Sequence, residues 1–599
     1  MSHNSSLLVP LPEITRHKHS LFELNGDAAA KWLEALPMAN LGETTKQLYQ
    51  ALTELSHVRC KPKDRYEILE KMRPRVHTIT KGLAQHYLNK PIVLPDKAEK
   101  VVLLADTLNS QLALGYCQSF VGLESESRLI RPKEAMATCL HRALSEYGQV
   151  LLRTYQLYRT PPHHFWLHNH HLYRSAQLQK LTTQKVADKI LGSGTVQQAY
   201  VRSLLLACSR CHQLPQPHIE QVYTGLRYWS NLVDIRDYRL ESCTFLLDPD
   251  RDTAPTYRQL TQQAPSPGWL GIDTNGLTEG DILSAAQATG KTKLDLQLPK
   301  ATLEQLSNAW HAPTTRSSQR VERDDTALIT LGLNATHYYC ANLADFDQFQ
   351  IESSDAELQP DPFSERHHRD IWSQGASDDT RETDHAGTVN FGLTPNRHDE
   401  PIEAIDYSLT QAPGDSSRRP TERQYSYLRA RILDSSAGGF RIEWPVEQGV
   451  RIRTGEIIGI KTEDFDDWRI AVVRWIRSDE QHQMGVEVLA TAAIPYSARL
   501  MQSGLPASDY QRAIVLPSDG TDESPRVLLA NIASFAEGQT IELVRPGHAL
   551  RARLLNSIES SGSYKLFNYK DAVKNAPPKA VVGEPEKNEG EFNNLWEIL

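Results

Sequence analysis

The sequence predicts a multidomain α+β protein, with an all-α N-terminal helical region followed by small antiparallel β-barrel modules. Three observations predict it. Apolar residues recur at spacings of three and four over the first ~235 residues. Short runs of alternating polarity, split by turn residues, fill most of the chain after residue 418. Between them lies a stretch too acidic and too poor in apolar residues to build a core. With 599 residues, three or four domains are expected.

The helical region, 1–235, rests on series such as Leu48, Leu52, Leu55 and Ile68, Met72, Val76, Ile79, Leu83. A further series is Leu144, Leu151, Tyr155, Tyr158. Pro37, Pro74, Pro91, Pro95, Pro161-Pro162, Gly192-Ser193-Gly194, Pro215 and Pro217 read as breakers between them. About eight helices follow from this count. No fixed repeat period appears, so a bundle is at least as well supported as a solenoid. Modules of this kind dock partners or dimerise, and nothing in the region requires catalysis.

Residues 240–351 read as a mixed or mostly β module. ALITLGL and THYYCANL are read as strands and TEGDILSAAQAT as a helix. Residues 352–417 hold 15 Asp/Glu against 4 Arg and no Lys, a net −11 against −9 for the whole chain. This stretch is read as a flexible acidic linker; the alternative is a surface insertion packed on a neighbour. Residues 418–500 supply YSYLRARIL, GGFRIEW, RTGEIIGI, WRIAVVRWI and QMGVEVL, strands of a small barrel. Within the first, Leu428, Ala430 and Ile432 share one face and Arg429 and Arg431 the other. Residues 511–570 give a second compact β unit, and 571–599 a polar flexible tail.

Charge and composition exclude several classes. A net charge of −9 does not suit a chain built to coat nucleic acid. No apolar run approaches the ~20 residues of a membrane helix. The first residues lack a basic segment followed by an apolar one, so no secretory signal is expected. Seven irregularly spaced cysteines do not form a disulfide framework. A cytoplasmic protein is the expectation.

The sharpest chemical signal opens the first C-terminal barrel. Arg419-Pro-Thr-Glu-Arg423 is R-x-x-x-R, and Asp434-Ser-Ser436-Ala-Gly-Gly439 is D-x-S-x-x-G. Two guanidinium groups can fork onto phosphates or guanine edges and stack on bases. The Asp434 carboxylate can accept from guanine N–H groups, Ser436 adds a hydroxyl, and Gly438-Gly439 allows a close turn. Residues 418–500 contain 12 Arg and 1 Lys, an excess suited to planar, bidentate recognition.

These paired motifs ahead of WRIAVVRWIRSDEQHQMGVEVL resemble the PilZ domain family, over about 80 residues. That family comprises bacterial receptor domains for cyclic di-GMP, built on a six-stranded antiparallel barrel. The resemblance implies a cyclic di-GMP site made by Arg419, Arg423, Asp434, Ser436 and Gly439. One departure stands out: the family places a whole strand between the motifs, and here only ten residues intervene. Either another part of the chain supplies that strand, or the Arg pair is out of register. An earlier Arg316-Ser-Ser-Gln-Arg320 is again R-x-x-x-R, followed by Asn334-Ala-Thr336, with Tyr339 at the glycine position. It is read either as a degenerate PilZ-like copy or as a chance match.

Four other features carry weaker signals. Cys208-Ser-Arg-Cys211-His212 matches c-type haem attachment, but a helical context without an export signal favours core cysteines. His163, His164, His168, His170 and His171 crowd nine residues without a carboxylate nearby in sequence, so no metal site is assigned. Gly290-Lys291-Thr292 lacks the P-loop glycine, since Ala285 stands in its place. Phe592-Asn-Asn-Leu595-Trp596-Glu597-Ile598-Leu599 is an apolar segment at the C-terminus, equally a docking peptide or residues packed on their own domain.

The reading is a cyclic di-GMP-binding bacterial signalling effector, with no cofactor and no catalytic residues. It would pass ligand binding to a protein partner through the helical region or the C-terminal tail. The rival is a scaffold or chaperone-like adaptor whose barrels are structural.

Overall fold

The computed structural model describes residues 7–126, 132–282, 296, 298–313, 319–356, 358, 425–444, 450–501, 506–517, 525–529 and 535–572. The expected acidic linker, the GKT segment, most of TEGDILSAAQAT and the C-terminal tail lie outside them.

Eight α-helices build the N-terminal region among the described residues: α1 Gly26–Glu34, α2 Leu41–His57, α3 Pro62–Leu83, α4 Asp96–Glu126, α5 Lys133–Gln156, α6 Phe165–Leu178, α7 Val196–Cys208 and α8 Gln216–Trp229. A two-stranded ribbon, β1 Lys185–Val186 and β2 Gly194–Thr195, sits between α6 and α7. They form a bundle around α5, which packs on α4, α6, α7 and α8. Side chains are buried all round α5, including Leu140, Leu144, Leu151, Arg142 and Glu146. Glu146 among them sits in a polar network. Arg73 Nε donates to Glu146 at 2.6 Å and its two Nη atoms to Asp188 at 3.0 and 2.9 Å, and Asn109 donates to Glu146 at 2.8 Å.

Pro74 was read as a breaker, but α3 runs through it. Ile68, Leu69, Met72, Val76, Ile79 and Leu83 are all buried on that helix. At roughly 1.5–3 kcal/mol each, their burial outweighs the ~3 kcal/mol cost of an internal proline.

A four-stranded antiparallel sheet follows, in the order β3-β6-β4-β5: β3 Asp234–Asp237, β4 Phe245–Leu247, β5 Thr256–Tyr257 and β6 Leu270–Asp273. Helix α9, Lys300–His311, closes over it, with Trp310 edge-on to Trp229 at 5.3 Å between ring centroids.

Two closed six-stranded antiparallel barrels complete the fold. The first uses β7 Val321–Leu331, β8 Leu428–Ser436, β9 Gly439–Glu443, β10 Ile457–Thr462, β11 Arg469–Ser478 and β12 His482–Ala490. Its first strand therefore comes from ahead of the acidic stretch. β7 pairs with β8 on one side and β10 on the other, and so closes the barrel. The strand absent between the two expected motifs is this one. On β8, Leu428, Ala430 and Ile432 are buried and Arg429 and Arg431 exposed, as the alternation predicts.

The second barrel uses β13 Ile494–Met501, β14 Gln511–Leu516, β15 Arg526–Leu529, β16 Thr540–Arg545, β17 His548–Ser560 and β18 Lys565–Asp571. β13 lies in the stretch read as the end of the first barrel, because only Thr491–Ala493 separate it from β12 and they carry no turn signal.

THYYCANL was expected as a strand. Its residues instead fall in α10, Gly332–Cys340, and the turn after it. Helix α10 is wedged between the barrels, where Leu333 joins their shared apolar cluster and His337 Nε2 lies 3.1 Å from the Tyr496 carbonyl. Burial there overrides the β propensity of the aromatic residues. Helix α11, Phe346–Glu352, follows.

One continuous apolar core joins the helical region, the small sheet and the interior of the first barrel; the second barrel has its own interior. Polar contacts seat the first barrel on the bundle. Ser478 N donates to Tyr158 O at 2.9 Å, and Thr160 N and Oγ1 donate to Asp479 at 2.7 and 3.0 Å.

Candidate functional site

The β8–β9 hairpin brings Asp434, Ser436 and Gly439 together at one end of the first barrel. Register places Asp434 between Glu322 on β7 and Arg441 on β9, and Ser436 opposite Gly439. Gly439 is required by close approach: a Cβ there would lie 2.0 Å from the Val486 carbonyl oxygen. Gly438 has open space and imposes no such limit. The Ser436 hydroxyl lies 3.4 Å from the Gly439 carbonyl, a contact at the outer limit of a hydrogen bond.

Asp434 is nearly buried, with 9% of its side chain exposed, and two arginines face it. Arg320 Nη1 donates to Oδ1 at 2.8 Å. Arg441 Nε lies 2.8 Å from Oδ2, an ion pair without hydrogen-bond alignment. Among the described residues the carboxylate thus accepts one aligned hydrogen bond and keeps capacity for more. Both arginine side chains are more than a third exposed, so two cations share one anion near the barrel surface.

Arg320 is the second arginine of Arg316–Arg320, the earlier R-x-x-x-R, and it directly precedes β7. In the order R-x-x-x-R, strand, D-x-S-x-x-G, a full strand now separates the motifs. Arg316 lies outside the described residues, as do Arg419 and Arg423. The chain that follows Arg423 enters the barrel at its other end. The Tyr425 carbonyl accepts from Tyr339 Oη at 2.8 Å, and Leu428 pairs with Ile329. Six strand residues, roughly 20 Å, then separate Leu428 from Asp434.

Sequence reasoning noticed Arg320 without placing it, and missed Arg441. The signal for Arg320 is the strand ALITLGL that follows it, once a long insertion is allowed between neighbouring strands; Arg441 lies in the strand GGFRIEW, and its register opposite Asp434 emerges only from the pairing of β8 with β9. Part of the arginine excess is structural. Arg431 pairs with Asp324 and Glu443, and Arg474 with Glu487 and Glu559. The cysteines of C-x-x-C-H are both buried, which pushes both thiols far up, and Cys211 Sγ donates to the Leu206 carbonyl. They are core residues.

Comparison with known proteins follows this division of the chain. Residues 27–239 match the N-terminal domain of the cyclic-di-GMP receptor FimW, 244–495 its middle PilZ domain, and 496–572 its C-terminal β-barrel domain. The cyclic-di-GMP receptor FimW of Pseudomonas aeruginosa is 31% identical over 619 aligned residues, covering 99% of either chain. The chain belongs to the FimW family. No solved structure matches it. The FimW middle-domain match begins at 244, ahead of β7, and runs across the acidic stretch. It therefore spans both parts of the split barrel, and the PilZ resemblance extends well beyond 418–500. No described helix is long and apolar enough to cross a membrane.

Proposed function

We propose that this protein is a cyclic di-GMP-binding signalling effector whose ligand sits over the β8–β9 hairpin of the first barrel. The observation that carries the reading is the 2.8 Å contact between Arg320 and Asp434, which joins an R-x-x-x-R to the D-x-S-x-x-G aspartate. In this assignment Arg316 and Arg320 fork onto the two phosphates and stack on guanine. Asp434 accepts from guanine N–H groups, Ser436 adds a hydroxyl, and Gly439 keeps the hairpin close to β12. No bond of the ligand is broken.

The site's place in the chain suggests how binding is transmitted. Arg210 of the helical region donates to the Ala312 carbonyl at 2.7 Å, just after α9. Eight residues later Arg320 meets Asp434. Drawing Arg316 and Arg320 onto an anionic ligand would shorten that connection and change how the bundle and barrel are held together. A protein partner of the helical region or the tail would read the change.

The test is calorimetric titration of the full-length protein with cyclic di-GMP, with GTP and cyclic AMP as controls. Arg316→Ala, Arg320→Ala and Asp434→Ala should each weaken binding at least tenfold. Arg419→Ala and Arg423→Ala represent the other assignment and should leave it unchanged. The reverse pattern would transfer the clamp to 419 and 423. No binding by the wild type would favour the scaffold reading.

A further inference from the structure

The five histidines around the start of α6 are not used by the function above, and the structure divides them by role. His170 is buried, with Nδ1 2.7 Å from the Tyr200 hydroxyl and Nε2 3.1 Å from the Thr253 carbonyl, so both ring nitrogens are engaged. His163 and His164 lie on the exposed turn before the helix, ring centroids 4.0 Å apart and edge to face. The carboxylate absent from the local sequence comes from Asp252, 88 residues after His164, on the loop between β4 and β5. One nitrogen from each imidazole and one Asp252 oxygen all lie within 4.8 Å of one another.

We propose that His163, His164 and Asp252 form a site for a divalent transition-metal ion of the zinc class. Two imidazoles and one carboxylate make a three-ligand set of the type that binds zinc, copper or nickel rather than magnesium or calcium. In a tetrahedral zinc shell with bonds of about 2.0–2.1 Å, ligand atoms sit about 3.3 Å apart. The set therefore has to close by about 1.5 Å at most, a rotation available to two exposed side chains. Asp252 is already fixed. Its oxygens accept from the backbone N–H groups of His164, Trp166 and Leu167, the last two at 2.9 and 3.1 Å. Such outer hydrogen bonds orient a ligating carboxylate. The N-terminus of α6 carries a partial positive charge that opposes a cation. The full negative charge of Asp252 offsets it, and water can take the remaining coordination positions. Because Asp252 belongs to the small sheet and the histidines to the helical region, the ion would staple the two together.

The experiment uses tag-free full-length protein, treated with chelator and dialysed, titrated with zinc chloride in a calorimeter. One ion per chain is expected, and zinc should raise the melting temperature. His163→Ala and Asp252→Asn should each weaken zinc binding at least tenfold and remove the thermal shift. Asn at 252 keeps an oxygen to cap α6. His164 has a φ of 65°, so it is replaced by Asn, which tolerates that region. His86→Ala, exposed and elsewhere, should change nothing. Absence of stoichiometric binding, or equal affinity in His163→Ala, overturns the site. Equal weakening in His86→Ala would mean general histidine binding and overturns it too. If Asp252→Asn fails to fold, His163→Ala decides alone, since its side chain is exposed.

Discussion

The two barrels have the same strand order. Numbered within each barrel, the strands close as 1-2-3-6-5-4 in both. Each also holds a carboxylate with 9% of its side chain exposed, set against two arginines. In the second barrel that carboxylate is Glu542. Arg499 Nε and the Tyr510 hydroxyl both donate to its Oε2, at 2.6 and 3.0 Å, and Arg499 stacks on the Tyr510 ring at 4.6 Å. Asp434 in the first barrel accepts a single aligned bond. In the second barrel the bonds gather on one oxygen of Glu542, whereas in the first each oxygen of Asp434 faces a different arginine, one just before β7 and one on β9. No arginine precedes β13, where Leu489–Ala493 read LATAA, while Arg316 and Arg320 precede β7. Barrel topology therefore supplies a frame, and the arginines before the first strand with Asp434 supply the proposed site.

The harshest way to break the first barrel alone is at Gly439. A Cβ there meets a backbone oxygen at 2.0 Å, which side-chain rotation cannot relieve. Gly439→Ala should cost about 3 kcal/mol or more and remove cyclic di-GMP binding with it. Gly438→Ala, in open space, should cost well under 1 kcal/mol. In the second barrel Gly547 is needed for a different reason, a φ of 70° in open space, so Gly547→Ala should cost about 1–2 kcal/mol and spare binding. Chemical denaturation of each variant measures all three.

Next in size is the exchange between the two carboxylates. A charged hydrogen bond is worth about 1.5–3 kcal/mol, so Asp434→Ala should lower affinity at least tenfold. Glu542→Ala should leave affinity unchanged but destabilise the second barrel, because Arg499 and Tyr510 lose their acceptor. If Glu542→Ala weakens binding as strongly as Asp434→Ala, the assignment of the site to the first barrel alone is wrong.

Which parts were legible follows from range. Helical periodicity and the alternation on β8 are local, and residues such as Ile68, Met72 and Leu428 announced their buried faces. Asp434, Ser436 and Gly439 lie within six residues, so their place on one hairpin is legible locally. Pairing of β7 with β8 is not, because Leu331 and Leu428 are almost a hundred residues apart and strand register is fixed only by the closed barrel. The same gap separates Arg320 from Asp434 in sequence, whereas Arg419 and Arg423 lie close to it. Helix α10 was misread because its fate depends on the space between the barrels, which no local pattern records.

A smaller effect tests how the barrels are joined. Arg474 on β11 pairs with Glu559 on β17, one contact measuring 3.0 Å, and with Glu487 on its own barrel. Burial raises the Glu559 carboxyl, but the Arg474 hydrogen bond and charge outweigh it and hold it below the usual range. A depressed carboxyl contributes stability above its unfolded value, about 4.3, and loses it as pH falls through the folded value. The barrel junction should thus be insensitive to pH near neutrality and weaken below about pH 4. Arg474→Ala should cost on the order of 1 kcal/mol, since the pair is partly exposed. Thermal unfolding followed between pH 7 and 3 should show the variant losing the acid-dependent step.

The smallest expected effect comes from the acidic stretch, whose net −11 opposes an anionic ligand. The described residues on either side of it are held by other partners. Leu358 bridges to Ala549 in the second barrel, and Tyr425 is held by Tyr339. Leu428, near the second of these, is roughly 20 Å along β8 from Asp434. That separation exceeds the Debye length of about 8 Å at physiological salt and is shorter than the ~30 Å at 0.01 M. The acidic charge should therefore reach the site only in dilute salt. Deleting 362–415, which keeps α11 and both Arg419 and Arg423, should raise cyclic di-GMP affinity by about two- to fivefold at ~0.01 M salt, a fraction of 1 kcal/mol. At ~0.15 M the gain should vanish. A gain that persists at the higher salt would mean the stretch occupies the site by contact and competes with the ligand directly. No gain at either salt would mean its charge is neutralised locally, and the two barrels then differ only in the residues at their own ends.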